Sequence, residues 1–217
     1  MDENNTIGRS VLNQIKKDII SGSLKPFSKL KLDNLKSHYS VSTSTIRETL
    51  NRLVSEGFVK AEEQRGFFVC PFSETDLIEI VKLRNLIESY GIEQSIQKSN
   101  IEWESKVVSA YHRLNLEEKN NLKNESISNE WKKYDFEFHE ILVSNCDSAN
   151  LMSIHSNLLD RHRRYQTILH QNRGQKSILE HEEIFNAVLN KDIKKTIKIL
   201  QIHLDQGLEK ALTLFKK

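Results

Sequence analysis

Four residues in the second half of the chain have the types and spacing of metal ligands. Asp135 and His139 are four positions apart, so both side chains point from one face of a predicted helix. His181 and His203 lie on later predicted helices, at the inner edge of each apolar face. Three imidazoles and one carboxylate suit Zn²⁺, Ni²⁺ or Mn²⁺ and would leave positions open on an octahedral ion. Spacing alone leaves another interpretation open, because an inward-facing histidine is often a hydrogen-bonded core residue.

The same ligand types also serve catalysis, so a helical metalloenzyme is an alternative. None of the eight histidines has a glutamate three residues before it, as a di-iron bundle would require, and the HExxH motif of zinc proteases is absent. A metal sensor, in which the ion itself is the signal, is a further alternative. We therefore predict a binding site rather than a catalytic centre. The remaining histidines, His155 and His162 among them, are predicted to be surface or packing residues.

The elements that position these residues are predicted to be helices. The 217-residue chain contains seven glycines and two prolines, too few for the frequent turns of a β-sandwich or barrel. A capping box at Ser73–Asp76 starts the first helix of a domain over residues 73–217. Five more helices are predicted near 101–123, 127–144, 148–170, 175–189 and 192–215. Six antiparallel helices form a bundle with room for a ligand site inside.

Residues 1–72 are predicted to form a separate winged helix-turn-helix domain. An apolar stripe through Val11, Ile15 and Ile19 predicts the first helix. A second helix is predicted from Asp33 to about His38, and a third is capped by Ser42 or Thr43. Two apolar segments, 58–59 and 67–69, flank a polar tip at 62–66 and predict a β-hairpin. The predicted fold class is thus mainly α, with a small β-hairpin wing.

Charge is unevenly distributed along the chain. Residues 9–60 contain ten basic and four acidic residues, whereas residues 61–217 contain 22 and 24. This block of positive charge indicates a polyanionic partner, and the third helix of a winged helix-turn-helix enters the major groove of DNA. Solvated surface charge is the alternative for any single residue. The candidate contacts are Thr43, Ser44, Arg47 and Asn51 to bases, and Lys29 and Lys31 to phosphates.

Residues 11–69 resemble the winged helix-turn-helix of the GntR family of bacterial transcription regulators. The matching segments are 19–26, 41–50 with the pair Arg47-Glu48, 56–59, and Arg65-Gly66. One recognition helix reads only a half-site, so we predict a homodimer on double-stranded DNA with a pseudo-palindromic operator. The resemblance adds Arg65 and Gly66 to the candidate DNA contacts. Phe27, Thr43 and Thr45 replace the family's usual Gly, Arg and Pro. Losing the arginine at position 43 implies an operator that differs from the common half-site.

Residues 73–206 resemble the FCD effector domain of the FadR-like branch of that family. The matching segments are 83–88, 135–139, 180–187, and Asp192 with His203. In metal-binding members the aspartate and the three histidines are the ligands, so the resemblance implies a divalent ion at Asp135, His139, His181 and His203. It also implies a small carboxylate effector paired with Arg84, with Arg161 and Arg164 as further cations. The function implied is a ligand-responsive transcription repressor.

The sequence predicts a cytoplasmic location and no contact with membranes. No apolar run approaches 18 residues, and the acidic, polar N-terminus does not have the pattern of a signal peptide. Cys70 and Cys146 are isolated, so neither a disulfide framework nor a thiolate zinc site is expected.

Overall fold

The computed structural model describes residues 3–124, 128–169 and 174–215, and these contain nine helices and three short strands. The chain divides into two compact units, Met1–Ser73 and Glu74–Lys217. The first contains a helix-turn-helix and a small sheet, and the second is all helical. The predicted fold class, mainly α with a winged helix-turn-helix, is confirmed. Ile127 and His170, the predicted start and end of two helices, and the predicted break at Asn172-Arg173 lie outside the described residues.

The first unit packs three helices around an apolar core. They are α1 (Glu3–Ser21), α2 (Leu32–Tyr39) and α3 (Thr43–Ser55). Helix α3 begins where the Ser42 hydroxyl accepts a hydrogen bond of 3.1 Å from the backbone N–H of Thr45, as the sequence predicted. The α1 stripe residues Ile15 and Ile19 are fully buried, and they share a core with Ile46 and Leu50 of α3. This packing fixes α3 with its opposite face toward solvent.

The wing is a three-stranded antiparallel sheet. Its strands are β1 (Lys29–Leu30), β2 (Val59–Glu62) and β3 (Gly66–Val69), with β3 in the middle. The β2–β3 hairpin is the predicted one, and Gly66 begins β3 with a φ of 94° that favours glycine. Strand β1 was not predicted, because two residues are too few to show an alternating pattern.

Six helices make up the described part of the second unit. They are α4 (Glu74–Gln97), α5 (Ile101–Asn124), α6 (Asn129–Val143), α7 (Ala149–Ile168), α8 (Gln175–Leu189) and α9 (Ile193–Phe215). Helix α4 packs against α6, α7 and α9, and α8 packs against α5 and α9. At Gly91 a Cβ atom would lie 3.0 Å from Val143 of α6 and 3.2 Å from Leu151 of α7, so glycine allows this close approach. No helix within the described ranges is long and apolar enough to cross a lipid bilayer.

Candidate metal centre and nucleic-acid interface

The structure brings the four predicted metal ligands together inside the helical unit. Asp135 and His139 come from α6, His181 from α8 and His203 from α9, and all four are buried. One potential ligand atom of each residue lies within 4.8 Å of those of the other three. The His181 and His203 ring centroids are 4.5 Å apart, and those of His139 and His203 are 5.3 Å apart. The tertiary fold thus assembles a compact set of nitrogen and oxygen donors from three helices.

Each of the three imidazoles is held by a carboxylate at its Nδ1 atom. The pairs are His139 with Glu88 at 2.8 Å, His181 with Glu118 at 2.7 Å, and His203 with Glu180 at 2.9 Å. An ionised carboxylate can only accept, so Nδ1 donates, and this fixes the tautomer in which the Nε2 lone pair can bind a metal. Such carboxylate–histidine pairs are typical of metal-binding histidines. The arrangement of these side chains therefore favours a divalent-metal site over three unrelated core histidines.

Two of the candidate ligands, Asp135 and His181, have strongly shifted pKa values. Burial raises the pKa of Asp135, but hydrogen bonding and charge from His181 outweigh it and hold that pKa well below its usual range. Burial lowers the pKa of His181, but the nearby carboxylates of Glu118 and Asp135 have the larger effect and raise this pKa to about 10. The His181 Nε2 atom lies 3.3 Å from Asp135 Oδ1. The raised pKa favours a protonated His181 imidazole, and an ion bound at Nε2 would displace that proton.

A buried ion pair connects the cluster to helix α4. The Arg84 Nε atom donates to Glu88 Oε1 at 2.6 Å, and the other oxygen of Glu88 accepts from His139. Burial raises the pKa of Glu88, but the charges of Arg84 and His139 hold it well below its usual range. Arg84 Nη1 lies 2.7 Å from Nδ1 of His162, and burial together with Arg84 holds the pKa of His162 well below its usual range. Arg84 Nη2 is buried and has no hydrogen-bond partner among the described residues.

A cavity of about 30 Å³ adjoins the candidate metal ligands. Its lining includes Arg84, Trp131, Asp135, His139, His162, Gln166, Ser177, His203, Leu204 and Gly207. Gln166 donates to the second oxygen of Asp135 at 3.2 Å, so a ligand in the cavity would also lie near this amide. Donors and potential metal ligands thus line one small space, an arrangement suited to a small anion.

The three predicted effector-binding arginines lie in different places. Arg84 lines the cavity. Arg161 instead donates to Asp76 Oδ1 at 2.5 Å, and Arg164 is buried. Neither Arg161 nor Arg164 is among the described residues that line this cavity, because α7 turns His162 and Gln166 toward it. Their role in effector binding stays a prediction.

Several residues that line or support the candidate site were not singled out in the sequence. Glu118 lies 63 positions from the histidine that it holds, a separation at which local patterns give no signal. His162, predicted to be a surface or packing residue, packs against Arg84 and also lines the cavity, which the sequence did not indicate. His155 is fully buried, with Nε2 at 3.4 Å from Glu88 Oε1. The sequence shows only that His155 and His162 lie on α7. Whether these side chains point into the bundle depends on how α7 packs against the other helices.

The predicted DNA-contacting residues of the first unit lie on its accessible face. Ser44, Arg47 and Asn51 of α3 are exposed, and Thr43 is half-buried. Lys31 is exposed at the N-terminal cap of α2. Because Ile46 and Leu50 turn into the core, Arg47 and Asn51 must face outward on α3.

The wing presents two further cations. Arg65 and Gly66 are exposed at the β2–β3 turn, and the Arg65 guanidinium lies 5.6 Å from the centre of the Phe68 ring. Lys29 of β1 places its ammonium 5.8 Å from the same ring centre. Arg65 also pairs with Glu62 at 2.6 Å. Two of the predicted DNA-contacting cations, Lys29 and Arg65, thus lie beside the same aromatic ring.

Comparison with protein families and curated relatives agrees with this architecture. Residues 8–69 match the family of bacterial regulatory proteins named gntR, and residues 79–206 match the FCD domain. The uncharacterised HTH-type transcriptional regulator BphR of Paraburkholderia xenovorans is 32% identical over 203 residues, which cover 92% of this chain and 82% of that protein. The HTH-type transcriptional repressor GlaR of Escherichia coli is 29% identical over 196 residues, which cover 88% of this chain and 89% of the repressor.

Solved structures share the fold. Escherichia coli McbR/YncC matches with a TM-score of 0.79 at 18% identity, over 100% of this chain and 99% of that one. A GntR protein from Rhodococcus sp. RHA1 matches with a TM-score of 0.76 at 18% identity, over 95% and 97% of the two chains. The family match over more than half of the chain excludes the metalloenzyme alternative. This protein belongs to the GntR family of bacterial regulatory proteins, carries an FCD domain, and is a transcriptional regulator rather than an enzyme.

Proposed function

We propose that this protein is a transcriptional repressor whose DNA binding responds to a small carboxylate held at a divalent metal ion. The observation that carries this proposal is the buried Nη2 of Arg84, which lacks a hydrogen-bond partner among the described residues and lines the same cavity as the candidate metal ligands. A carboxylate could coordinate the ion and accept a hydrogen bond from Nη2. The name of the Escherichia coli relative supports repression as the direction of control.

The ion is Zn²⁺, Ni²⁺ or Mn²⁺, held by Asp135, His139, His181 and His203. Imidazole nitrogen suits all three metals, and the carboxylate–histidine pairs supply the outer support that such sites need. Four protein ligands would leave positions for an effector on an ion that accepts six.

The effector is a small hydroxy, keto or sugar acid. The cavity has about 30 Å³ of open space, which favours acids of a few carbons over long acyl chains. Arg161 and Arg164 are proposed to contribute further positive charge near this end of α7.

The first unit reads a pseudo-palindromic operator as part of a homodimer, in the cytoplasm. Arg47 can form paired hydrogen bonds with guanine, and Asn51 can do so with adenine. Thr43 and Ser44 stand at the start of the same helix, beside the base edges. Phosphates are bound by Lys29 and Lys31 and by the wing at Arg65 and Gly66.

Control of DNA binding requires that the effector bind two arrangements of the protein unequally. Helix α4 carries Arg84 and Glu88, and it begins at Glu74, five residues after the last strand of the wing ends at Val69. We propose that effector binding shifts α4 and thereby changes how the two DNA-binding units of a dimer meet their half-sites.

The test is operator binding by metal-loaded protein, with the operator selected from random DNA and small hydroxy and keto acids then added with and without a chelator. Loss of DNA binding with an acid only when metal is present supports the proposal. A response to metal alone would identify a metal sensor instead. If the protein selects no palindromic DNA, or if neither acid nor metal changes its binding, the proposal is overturned.

A further inference from the structure

Two residues that line the cavity of the helical unit have a buried polar atom without a hydrogen-bond partner among the described residues. These atoms are Nη2 of Arg84 on α4 and Oε1 of Gln166 on α7. The two residues are only 2% and 6% exposed. Because buried polar atoms nearly always have a partner, this pair indicates which groups a molecule bound in the cavity must offer.

The contact between Gln166 and Asp135 fixes the orientation of the Gln166 amide. Gln166 Nε2 lies 3.2 Å from Asp135 Oδ2. A carboxylate that serves as a metal ligand is ionised and can only accept hydrogen bonds, so the amide nitrogen must be the atom that faces it. This contact leaves Oε1 of Gln166 as an acceptor. Its partner must be a group that carries a hydrogen.

Arg84 and His162 offer the opposite chemistry. The guanidinium of Arg84 can only donate, so Nη2 needs an acceptor. Nη1 of the same side chain donates to His162 Nδ1 at 2.7 Å, and the proton of that imidazole is therefore on Nε2. His162 also lines the cavity. The cavity thus offers two donors, which suit the two oxygens of a carboxylate, and the acceptor of Gln166.

We propose that Gln166 makes the cavity selective for hydroxy acids, with the ligand hydroxyl donating to Gln166 Oε1 while the ligand carboxylate accepts from Arg84 and His162. This inference rests on the proposed function, since it narrows the class of effector that the same cavity binds. The cavity measures about 30 Å³, so an acid of a few carbons can reach the donors and the acceptor together.

Other small acids fit these atoms less well. The carbonyl of a keto acid and the methylene of an unsubstituted acid have no polar hydrogen, so Gln166 Oε1 would stay buried without a partner, which is unfavourable. The ammonium group of an amino acid can donate, but it would place a positive charge beside Arg84 and the proposed divalent ion. A hydroxyl donates without adding charge.

The first test measures the binding of acids that differ only at the carbon next to the carboxylate. Isothermal titration calorimetry of the metal-loaded full chain compares each enantiomer of lactate with pyruvate, propionate and alanine, and compares malate with succinate. We expect the dissociation constant of a hydroxy acid to be at least about tenfold lower than that of its matched acids. A matched acid that binds as tightly as its hydroxy acid, or a protein that binds no hydroxy acid, would overturn the proposal.

The second test uses substitutions at the two ends of the ligand. Gln166→Met removes the acceptor at similar volume and should reduce the preference for the hydroxy acid to less than about threefold. His162→Phe should weaken both acids of a pair alike, since both have the carboxylate. The exposed Gln97→Met is the control and should keep the wild-type preference.

A purely structural role for Gln166 would weaken both acids of a pair equally and leave the preference unchanged, which would overturn the proposal. Circular dichroism and elemental analysis verify that the variants fold and hold metal. The wild-type comparison needs no substitution, so it decides the question even if Gln166→Met does not fold.

DNA binding separates this proposal from the proposed function. If hydroxy acids bind preferentially but do not change operator binding, the regulatory proposal fails and the selectivity of the cavity stands. If keto acids bind as tightly as hydroxy acids and also release the operator, the regulatory proposal stands and the role of Gln166 fails. When both hold, only hydroxy acids release the operator at low concentration, and Gln166→Met loses this distinction.

Discussion

The two units of this protein use their interiors for different purposes. The first unit buries a cluster of apolar residues, and Thr49 is its only buried polar residue among those described. The second unit buries a set of ionisable side chains that includes Arg84, Glu88, Asp135 and three candidate metal-binding histidines. Burying charge is unfavourable unless each charge is paired. The interior of the first unit thus serves stability, whereas the interior of the second unit also contains the candidate metal and effector site.

The surfaces show the reverse pattern. The first unit places its candidate DNA-contacting side chains in solvent, where Arg47 and Asn51 can be substituted without disturbing the core. In the second unit the outer side of α4 is apolar, while its inner side contains an ion pair. Substitutions at functional residues should therefore alter only binding in the first unit, but both binding and stability in the second.

The largest effect is expected from Arg84→Ala. Removing the guanidinium leaves the Glu88 carboxylate buried without its ion-pair partner, which costs about 3–5 kcal/mol of unfolding free energy. Arg113→Ala is the matched control, since the Arg113–Glu137 pair is partly exposed and contributes about 1 kcal/mol or less. Denaturant unfolding measures both values.

Arg84→Lys tests the same residue with its charge retained. This variant should recover part of the lost stability but not the response of DNA binding to small acids, because an ammonium cannot form the two-pronged pair. A full response in Arg84→Lys would remove Arg84 from the proposed effector site. Equal stability losses in Arg84→Ala and Arg113→Ala would contradict the contrast between buried and exposed charge.

Metal removal should destabilise the second unit selectively. An ion held by three helices stabilises the folded state by roughly 3 kcal/mol at moderate excess over its dissociation constant, so chelation should lower the melting temperature by about 5–10 °C. Hydrogen exchange resolved along the chain should show the loss of protection in residues 74–217 and little change in the first unit.

The matched substitutions for this prediction are His139→Ala, His181→Ala and His203→Ala, with the exposed His112→Ala as the control. Elemental analysis of the purified variants should find the metal missing from the first three and present in the fourth. Full metal retention in all three cluster variants would rule out the site.

In the first unit, Arg47→Ala should weaken specific DNA binding by about 1–3 kcal/mol and relax one base position, with no loss of folding stability. Lys31→Ala should weaken binding to all sequences alike and reduce its salt dependence, because a phosphate contact carries no sequence information. Binding-site selection at several salt concentrations distinguishes the two. An unchanged sequence preference in Arg47→Ala would show that this arginine does not read a base.

The smallest effect is expected from mild acid on the metal-free protein. Burial lowers the pKa of His139 and of His162, so the unfolded chain takes up protons below about pH 6.5 that the folded state excludes. Stability should therefore fall as the pH drops from 6.5 to 5, by about 1–2 kcal/mol. The raised pKa of His181 does not offset this fall, since its contribution is already complete below pH 6.5.

Hydrogen exchange at pH 5 and pH 6.5, corrected for intrinsic rates, resolves this effect by region. The second unit should lose protection and the first should change little, because the described part of the first unit buries no histidine. Equal losses in both units would show that these buried imidazoles do not set the acid sensitivity.

Much of this molecule was predictable from local sequence patterns. The α1 stripe, the Ser42 cap and the β2–β3 hairpin lie where the sequence placed them, and the six later helices begin and end within a few residues of the predicted positions where the structure describes them. These features depend on side-chain period and capping, which act over a few neighbouring residues. The motif around Asp135 and His139, with the family resemblance, also pointed to the residues that form the cluster.

The partners of those residues were decided only by the tertiary structure. The sequence does not indicate that Glu118 holds His181, or that His162 rather than Arg161 turns toward the cavity. The short strand β1 likewise exists only because β3 pairs with it. Helical periodicity determines which residues share a face of a helix. Which other helix packs against that face depends on how helices distant in sequence come together. The candidate ligands could therefore be named from the sequence, but the ion pairs that orient them could not.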